Sequence, residues 1–324
     1  MKVLVTGANG FVGSEIVTEL SKGSHDLVLL DRVRPLDVRA TDSIFVEADI
    51  SNADEMREVD IGSVNVVIHA AGLAHQFGTV SKEPFWKVNV DGTTNIADLA
   101  VRSLARHFIL ISSVSVYGSA SEGVSLRTEK SECKPEGYYA ESKLESEMAA
   151  IRICEENRLP LTILRLATVI GEGDRGNVFK LIRAIDRRRF LWIGKGDNRK
   201  SLVYKNDVAR ACAAVLVMRL DGTRIYNVSA PPATMKEIVS YMEKALNKNV
   251  PGLPVPASLL KVGFKLNSLT LGIKRIEGVS RTIEKWLADD SYSADKIGTE
   301  IGFIASESVE QAITREVGWY LKNK

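Results

Sequence analysis

Tyr139 and Lys143 stand four residues apart, which on a helix puts the phenol and the ammonium on one face. A free tyrosine, with a pKa of about 10, is a poor base near neutrality. A neighbouring positive charge favours phenolate and turns the group into a usable acid–base residue. Ser113 follows the apolar run Phe108–Ile111, and its hydroxyl can share the phenol's proton and orient a substrate hydroxyl. A second constellation lies near the start of the chain. Val3–Val5 run straight into Thr6-Gly7-Ala8-Asn9-Gly10-Phe11-Val12-Gly13, and a helical pattern follows. Gly7 can make the tight turn, Gly10 admits a pyrophosphate close to the backbone, and Gly13 lets the helix sit against the strand. The helix N-terminus offers unpaired N–H groups and positive dipole to phosphates. Asp31 ends the next apolar run, 18 residues after Gly13, where a carboxylate accepts bonds from an adenosine ribose. That carboxylate repels a 2′-phosphate, so NAD is expected rather than NADP, although Arg32 and Arg34 would suit the phosphate.

These groups need a scaffold, and the hydrophobic pattern supplies one. Val3–Val5, Leu27–Leu30, Ile44–Val46, Val64–Ile68, Phe108–Ile111 and Leu161–Leu164 are short runs alternating with longer helical stretches. Continuous apolar strands separated by helices imply a parallel sheet buried on both faces, hence a doubly wound α/β fold of Rossmann type. After residue 167 glycines and prolines punctuate a loop-rich stretch, which predicts a smaller, mostly helical lobe. The expected division is 1–167 with 201–228 for dinucleotide binding, and 168–200 with 229–324 for substrate. Near the end, Val309, Ile313, Val317 and Tyr320 share a helical face, with Ser308 and Gln311 at capping-box spacing. Residues Leu259–Ile276 mix apolar groups with Lys261, Lys265, Lys274 and Arg275; packing of the lobe is preferred over a membrane-surface helix.

Composition narrows the classes. Among 324 residues, 43 Lys+Arg against 41 Asp+Glu leave +2, so neither a nucleic-acid nor an anionic-membrane partner is expected. Three scattered cysteines, Cys133, Cys154 and Cys212, fit reduced thiols in a cytosol better than a disulfide framework. Four histidines without an H-E-x-x-H pattern argue against zinc, and no metal is expected. The opening residues lack secretory architecture, and the apolar run 211–218 is too short to span a bilayer, so a cytoplasmic protein is expected.

Together the glycine turn, Asp31, Asp49-Ile50, His69-Ala-Ala-Gly72, Asn89-Val-Asp-Gly92, Ser113 and Tyr139-x-x-x-Lys143 resemble the extended short-chain dehydrogenase/reductase superfamily. Arg165-Leu166, Gly176-Asn177 and Ser201-Leu-Val-Tyr204 with Asp207 extend the resemblance over nearly the whole chain, in the nucleotide-sugar epimerase/dehydratase branch. The resemblance implies a catalytic triad of Ser113, Tyr139 and Lys143. It implies NAD held by Gly7, Gly10, Phe11, Val12, Gly13, Asp31 and Arg32, with Asp49 and Ile50 lining the adenine. Ala70, Ala71, Gly72 and Asn89 would line the middle of the cleft, with Tyr139 and Lys143 also touching the cofactor and Ser113 the substrate. It further implies a nucleotide-sugar substrate, UDP-linked, with Asn177 and Val178 at the diphosphate and Trp192 and Ile193 in a strand lining the base. Lys200 takes the diphosphate-gripping position where an arginine is usual, with Arg199 beside it. The exposed run Arg187–Arg189, with Arg183 and Lys195, reads as a solvated face. A homodimer through helices of residues 81–104 and 139–158 is implied, with Ile96, Leu99, Ala100 and Leu104 as an apolar face, although the same residues equally suit covering the sheet.

The residues after Ser113 bear on the reaction. Dehydratases of the branch carry an acidic pair there; Val114 and Ser115 have no acid to give. Ser113, Tyr139, Lys143 and a nicotinamide suffice to take a sugar C4 to the ketone and back. The reading is an NAD-dependent nucleotide-sugar 4-epimerase, on UDP-glucose/UDP-galactose or the N-acetylhexosamine pair. An NAD(P)H-dependent 4-keto reductase of a UDP-6-deoxyhexosamine is the alternative, ahead of a 4,6-dehydratase or a non-catalytic dinucleotide-binding protein.

Overall fold

A computed structural model describes residues 1–34, 43–74, 80–119, 126–218, 221–250 and 287–324. The Leu259–Ile276 segment and the prolines of 251–256 lie outside the described residues. Six strands come first: β1 (Lys2–Thr6), β2 (Asp26–Asp31), β3 (Ile44–Glu47), β4 (Val66–His69), β5 (His107–Ser113) and β6 (Leu161–Leu166). Then follow β7 (Thr168–Ile170), β8 (Arg199–Lys200), β9 (Leu202–Tyr204), β10 (Thr223–Val228) and β11 (Ala233–Thr234). The helices are α1 (Gly13–Leu20), α2 (Ala53–Glu58), α3 (Lys82–Phe85), α4 (Gly92–Arg102) and α5 (Tyr138–Glu156). They continue as α6 (Asn177–Asp186), α7 (Lys205–Leu216), α8 (Met235–Leu246), α9 (Asp295–Ile301) and α10 (Val309–Asn323).

Seven strands form one sheet in the order β10-β6-β5-β4-β1-β2-β3, and every pairing in it is parallel. Alternation along β1 explains why the runs are continuously apolar. Val3 and Val5 enter one core with α1 and α7, while Leu4 enters the other with α4 and α5. The doubly wound fold expected from the sequence is therefore the fold observed. The chain leaves β1 toward β2 and returns to its other side as β4, so the winding reverses between β1 and β4. Ligands of such sheets bind beyond the carboxyl ends of the strands at this reversal.

A third core joins α6, α8 and α10 through Leu181, Ile182, Ile238, Met242, Ile313 and Tyr320. The predicted stripe on α10 is buried, and Ser308 and Gln311 form its capping box. Three local expectations change. Within 201–228 only β10 joins the large sheet; β9 pairs instead with β7. The expected strand at Leu191–Gly194 is irregular chain with a single bridging residue, Ile193, because Gly194 and Gly196 adopt positive φ and break the run. Ile96, Leu99 and Ala100 are buried beneath the sheet's second core, which removes them from any outward apolar face; Leu104 stays exposed. Cys133, Cys154 and Cys212 are free thiols. No helix among the described residues is long and apolar enough to cross a membrane.

Candidate active site

The glycine turn sits at the reversal. Gly7 has φ +67°, and its N–H donates to the Leu30 carbonyl at 2.9 Å. A Cβ on Gly7 would lie 2.6 Å from the Ala71 nitrogen, and one on Gly13 only 2.0 Å from the Gly7 carbonyl oxygen. Backbone meets backbone at both points, so neither neighbour can yield cheaply. Gly13→Ala is expected to cost about 1–3 kcal/mol through overpacking and to weaken NAD binding; urea unfolding and cofactor titration check both. Phe11 and Val12 are half-buried, and the Ser14 N–H is taken by the Gly10 carbonyl at 2.9 Å; no side chain caps the start of α1, so its positive end stays available to a phosphate. Asp31 accepts the Asn9 N–H at 2.9 Å and the Arg32 N–H at 2.7 Å, tying the turn to the end of β2.

Burial pushes the Asp49 carboxyl up, but Ser51 N–H and Oγ donors at 2.9 and 2.8 Å outweigh it. With help from the Arg32 and Lys87 charges, the group is held below the usual carboxylate range. The Arg32 charge therefore acts on Asp49 from the end of β2. Ile50 is buried against Gly92, and its carbonyl accepts Asn95 Nδ2 at 2.8 Å. Asn89 lies in a π-turn, Trp86–Asp91, between α3 and α4. Its Oδ1 accepts the Leu73 N–H at 2.7 Å, and its Nδ2 donates to Ser142 Oγ at 2.9 Å. It therefore joins the Ala70–Gly72 turn to α5. Three observations fit a dinucleotide here: two glycines that no Cβ can replace, an uncapped helix start, and a carboxylate at the end of β2.

Ser113, Tyr139 and Lys143 come together at the carboxyl end of β5. Ser113 Oγ accepts the Ser115 N–H at 3.1 Å, which starts a short 3-10 turn and fixes the serine's orientation. Tyr139 lies in the first turn of α5, edge-on to Phe85 at 6.3 Å, with its phenol beside Ser113. The Lys143 ammonium donates to the Ile111 carbonyl at 2.7 Å. Burial lowers its pKa to about 8, with Glu147 opposing the shift. The expected lowering of the Tyr139 phenol is not produced by this arrangement alone. Burial pushes the phenol up, Ser113 opposes that, and Lys143 is turned toward the strand.

Beneath the triad lies a buried carboxylate that no sequence motif marks. Glu147, one turn beyond Lys143, accepts Ser112 Oγ at 2.5 Å and Arg165 Nη2 at 2.6 Å. Both members of the ion pair are buried, and Arg165 Nη1 has no hydrogen-bond partner among the described residues. Arg165 also lies over the Tyr117 ring, 4.9 Å from its centroid.

In the segment after β7, Asn177 is exposed at the first residue of α6, whereas Val178 is buried in the third core. Trp192 and Ile193 are half-buried, with Trp192 edge-on to Phe190 at 5.3 Å. The alternation of β8 sends Lys200 inward to Asp290 Oδ2 at 3.0 Å and Arg199 outward to the Pro232 carbonyl at 2.9 Å. Asp290 also takes Arg127 at 2.8 Å. Neither Arg127 nor Asp290 was signalled by the sequence, since a bridge between Arg127 and Tyr292 brings distant turns together. Arg183 and Arg187–Arg189 are exposed, as a solvated face requires.

A doubly wound sheet with a glycine-rich first turn and a Ser–Tyr–Lys cluster at its carboxyl edge defines a dinucleotide-dependent short-chain-type enzyme scaffold. The chain belongs to the NAD dependent epimerase/dehydratase family, whose description matches residues 3–229. It is 28% identical to the N-acetyl-alpha-D-glucosaminyl-diphospho-ditrans,octacis-undecaprenol 4-epimerase of Escherichia coli O157:H7, over 97% of this chain and 93% of that protein. It is 29% identical to the UDP-glucose 4-epimerase of Vibrio cholerae, over 91% of this chain and 89% of that protein. Its fold matches the UDP-glucuronic acid 4-epimerase of Bacillus cereus in complex with NAD. The TM-score is 0.77 at 20% identity, covering 100% of this chain and 99% of that one.

Proposed function

We propose that the chain is an NAD-dependent 4-epimerase of a sugar carried on a diphosphate, with UDP-glucose/UDP-galactose or the N-acetylhexosamine pair as substrates. The observation that carries this reading is the end of β5, where Ser113, Tyr139 and Lys143 cluster and Val114 and Ser115 follow without an acid. Relatives that are 4-epimerases over most of the chain support it. Gly7, Gly10, Gly13, Phe11, Val12, Asp31 and Arg32 would hold the dinucleotide, with Asp49 and Ile50 at the adenine and Ala70–Gly72 and Asn89 mid-cleft. When bound, NAD supplies a hydride acceptor and then donor at C4, and a positive charge on its ring. Tyr139 takes the proton from the C4 hydroxyl and returns it once the sugar has turned. Ser113 orients that hydroxyl, and Lys143, anchored on the Ile111 carbonyl, adds positive charge to the site.

Residues 168–200 and 229–324 form the substrate side, with Asn177, Trp192 and Ile193 around the nucleotide, while Val178, buried in the third core, serves the packing of α6 and not the substrate. Lys200, the inward member of its pair, serves the diphosphate, and Arg199 the rim. The protein works in the cytoplasm as a homodimer through α3–α4 and α5, with Leu104 and Met148 exposed on that side. A monomeric mass by light scattering at micromolar protein would remove the dimer.

The reaction is tested by offering UDP-glucose, UDP-N-acetylglucosamine and undecaprenyl-diphospho-N-acetylglucosamine in parallel; the third follows the carrier acted on by the E. coli relative. A conserved substrate mass with inverted C4 by NMR is expected from at least one. Loss of water contradicts the reading, because elimination across C5–C6 needs a base and an acid that Val114 and Ser115 cannot provide. Inertness until a 4-keto sugar and reduced cofactor are added would make the chain a reductase.

A further inference from the structure

Glu316 lies in the middle of α10, 0% exposed, beneath the turn that leads from β7 into α6. Its Oε2 accepts the Gly171 N–H at 3.1 Å, while its Oε1 is buried and has no hydrogen-bond partner among the described residues. The acid it meets is Asp174, itself 8% exposed. Asp174 Oδ1 accepts the Gly176 N–H at 2.7 Å and Oδ2 the Phe179 N–H at 3.3 Å, so it caps the first turn of α6. The turn's third acid, Glu172, accepts the Tyr204 hydroxyl at 2.9 Å and faces Lys205 at 3.9 Å. The neighbouring cation on α10, Arg315, is committed to Glu307 and the Tyr204 ring. Among the described residues no cation pairs with Glu316 or Asp174.

Two buried carboxyls in contact without a cation cannot both ionise, and one proton resolves the conflict. Asp174 takes two backbone N–H donors, which favour its charged form; Glu316 takes one. We propose that Glu316 is a positioning residue kept as a neutral acid, whose Oε1–H donates to Asp174 and fixes the 171–176 turn that presents Asn177 to the substrate diphosphate. The proton also leaves the turn one negative charge lighter where an anion must approach. Burial first, then the Asp174 charge, raises the Glu316 pKa to about 9, with Gly171 opposing and Glu172 adding. The positioning role rests on the diphosphate-sugar reading above; the shared proton does not.

Two measurements on NAD-loaded full-length protein separate these parts. The infrared C=O stretch of a protonated carboxylic acid is expected in the wild type at pH 8, fading above pH 9, and missing from Glu316→Gln. UDP affinity by calorimetry is expected to fall about tenfold in the wild type between pH 8 and 10, within the ordinary range of site–site coupling. Glu316→Gln, whose amide can serve both partners, should hold its UDP affinity over that range, whereas Glu316→Leu should lose about tenfold already at pH 7.5. A missing band, or one that survives Glu316→Gln, would overturn the shared proton. Parallel UDP profiles in wild type and Gln variant would overturn the positioning role. Absence of UDP binding at every pH, with the band intact, would overturn the positioning role together with the diphosphate-sugar reading and leave the proton pair standing.

Discussion

Tyr139→Phe is expected to cut turnover by about 10²–10⁴-fold while NAD affinity stays within about twofold of wild type, a shift of only about 0.4 kcal/mol. The ring's packing does not depend on the hydroxyl: it stands edge-on to Phe85 and begins a helix whose backbone starts at Gly137, with φ +85°. What the substitution removes is the proton carrier beside Ser113. Burial alone keeps the phenol protonated, so the group becomes a base only when further positive charge is brought beside it. The loss should therefore fall on kcat, not KM. Single-turnover rates and cofactor titration on the same preparation decide the matter, and a variant keeping more than about a tenth of wild-type rate ends the assignment.

The second large effect is structural. Glu147→Leu leaves the Arg165 guanidinium buried, with one nitrogen already lacking a partner and the others deprived of theirs. Breaking a buried pair from one side typically costs about 3–5 kcal/mol, while replacing both partners by apolar groups is often close to neutral. Glu147→Leu should thus fall far in urea midpoint, and adding Arg165→Met should restore most of it. Activity should not return with stability, because Ser112 loses its acceptor and Lys143 loses the carboxylate that supports its charge. A single-variant loss below about 1 kcal/mol, the scale of a surface pair, would mean the pair is not shielded from water.

Much of this architecture was readable because buried parallel strands announce themselves. Val3–Val5 or Phe108–Ile111 can be little else when both faces are covered. The glycine turn, Asp31 and the Tyr139–Lys143 pair were legible because local backbone geometry and helical spacing dictate residue type. Pairing over long distances was not. Nothing in Lys200 points to Asp290, and the short run Leu202–Tyr204 gives no direction as to which sheet it joins. Apolar residues on α4 looked equally fit for a partner or for the sheet, and the sheet took them. Buried charges were the hardest, since glutamate and arginine read as solvent-facing. Yet spacing held a clue: Val309, Ile313, Glu316 and Tyr320 lie on one stripe of α10, and Glu147 repeats the Tyr139–Lys143 interval.

The placement of β10 has a consequence for how the chain assembles. Its partner β6 ends at Leu166, but β10 begins only at Thr223, after the chain has travelled out through α6 and back. Until that last strand docks, β6 is a raw sheet edge, with an unpaired row of N–H and C=O groups and Tyr226 and Val228 missing from the core beside it. Closing a parallel pairing across so long an excursion is slow, because the entropy of the loop is lost before any contact rewards it. On a ribosome, the nascent sheet would wait with its edge exposed while the intervening residues are made. A chain cut after residue 200 should therefore aggregate instead of folding into the first six strands, and growth at lower temperature or with chaperones in excess should raise the soluble yield of the intact protein.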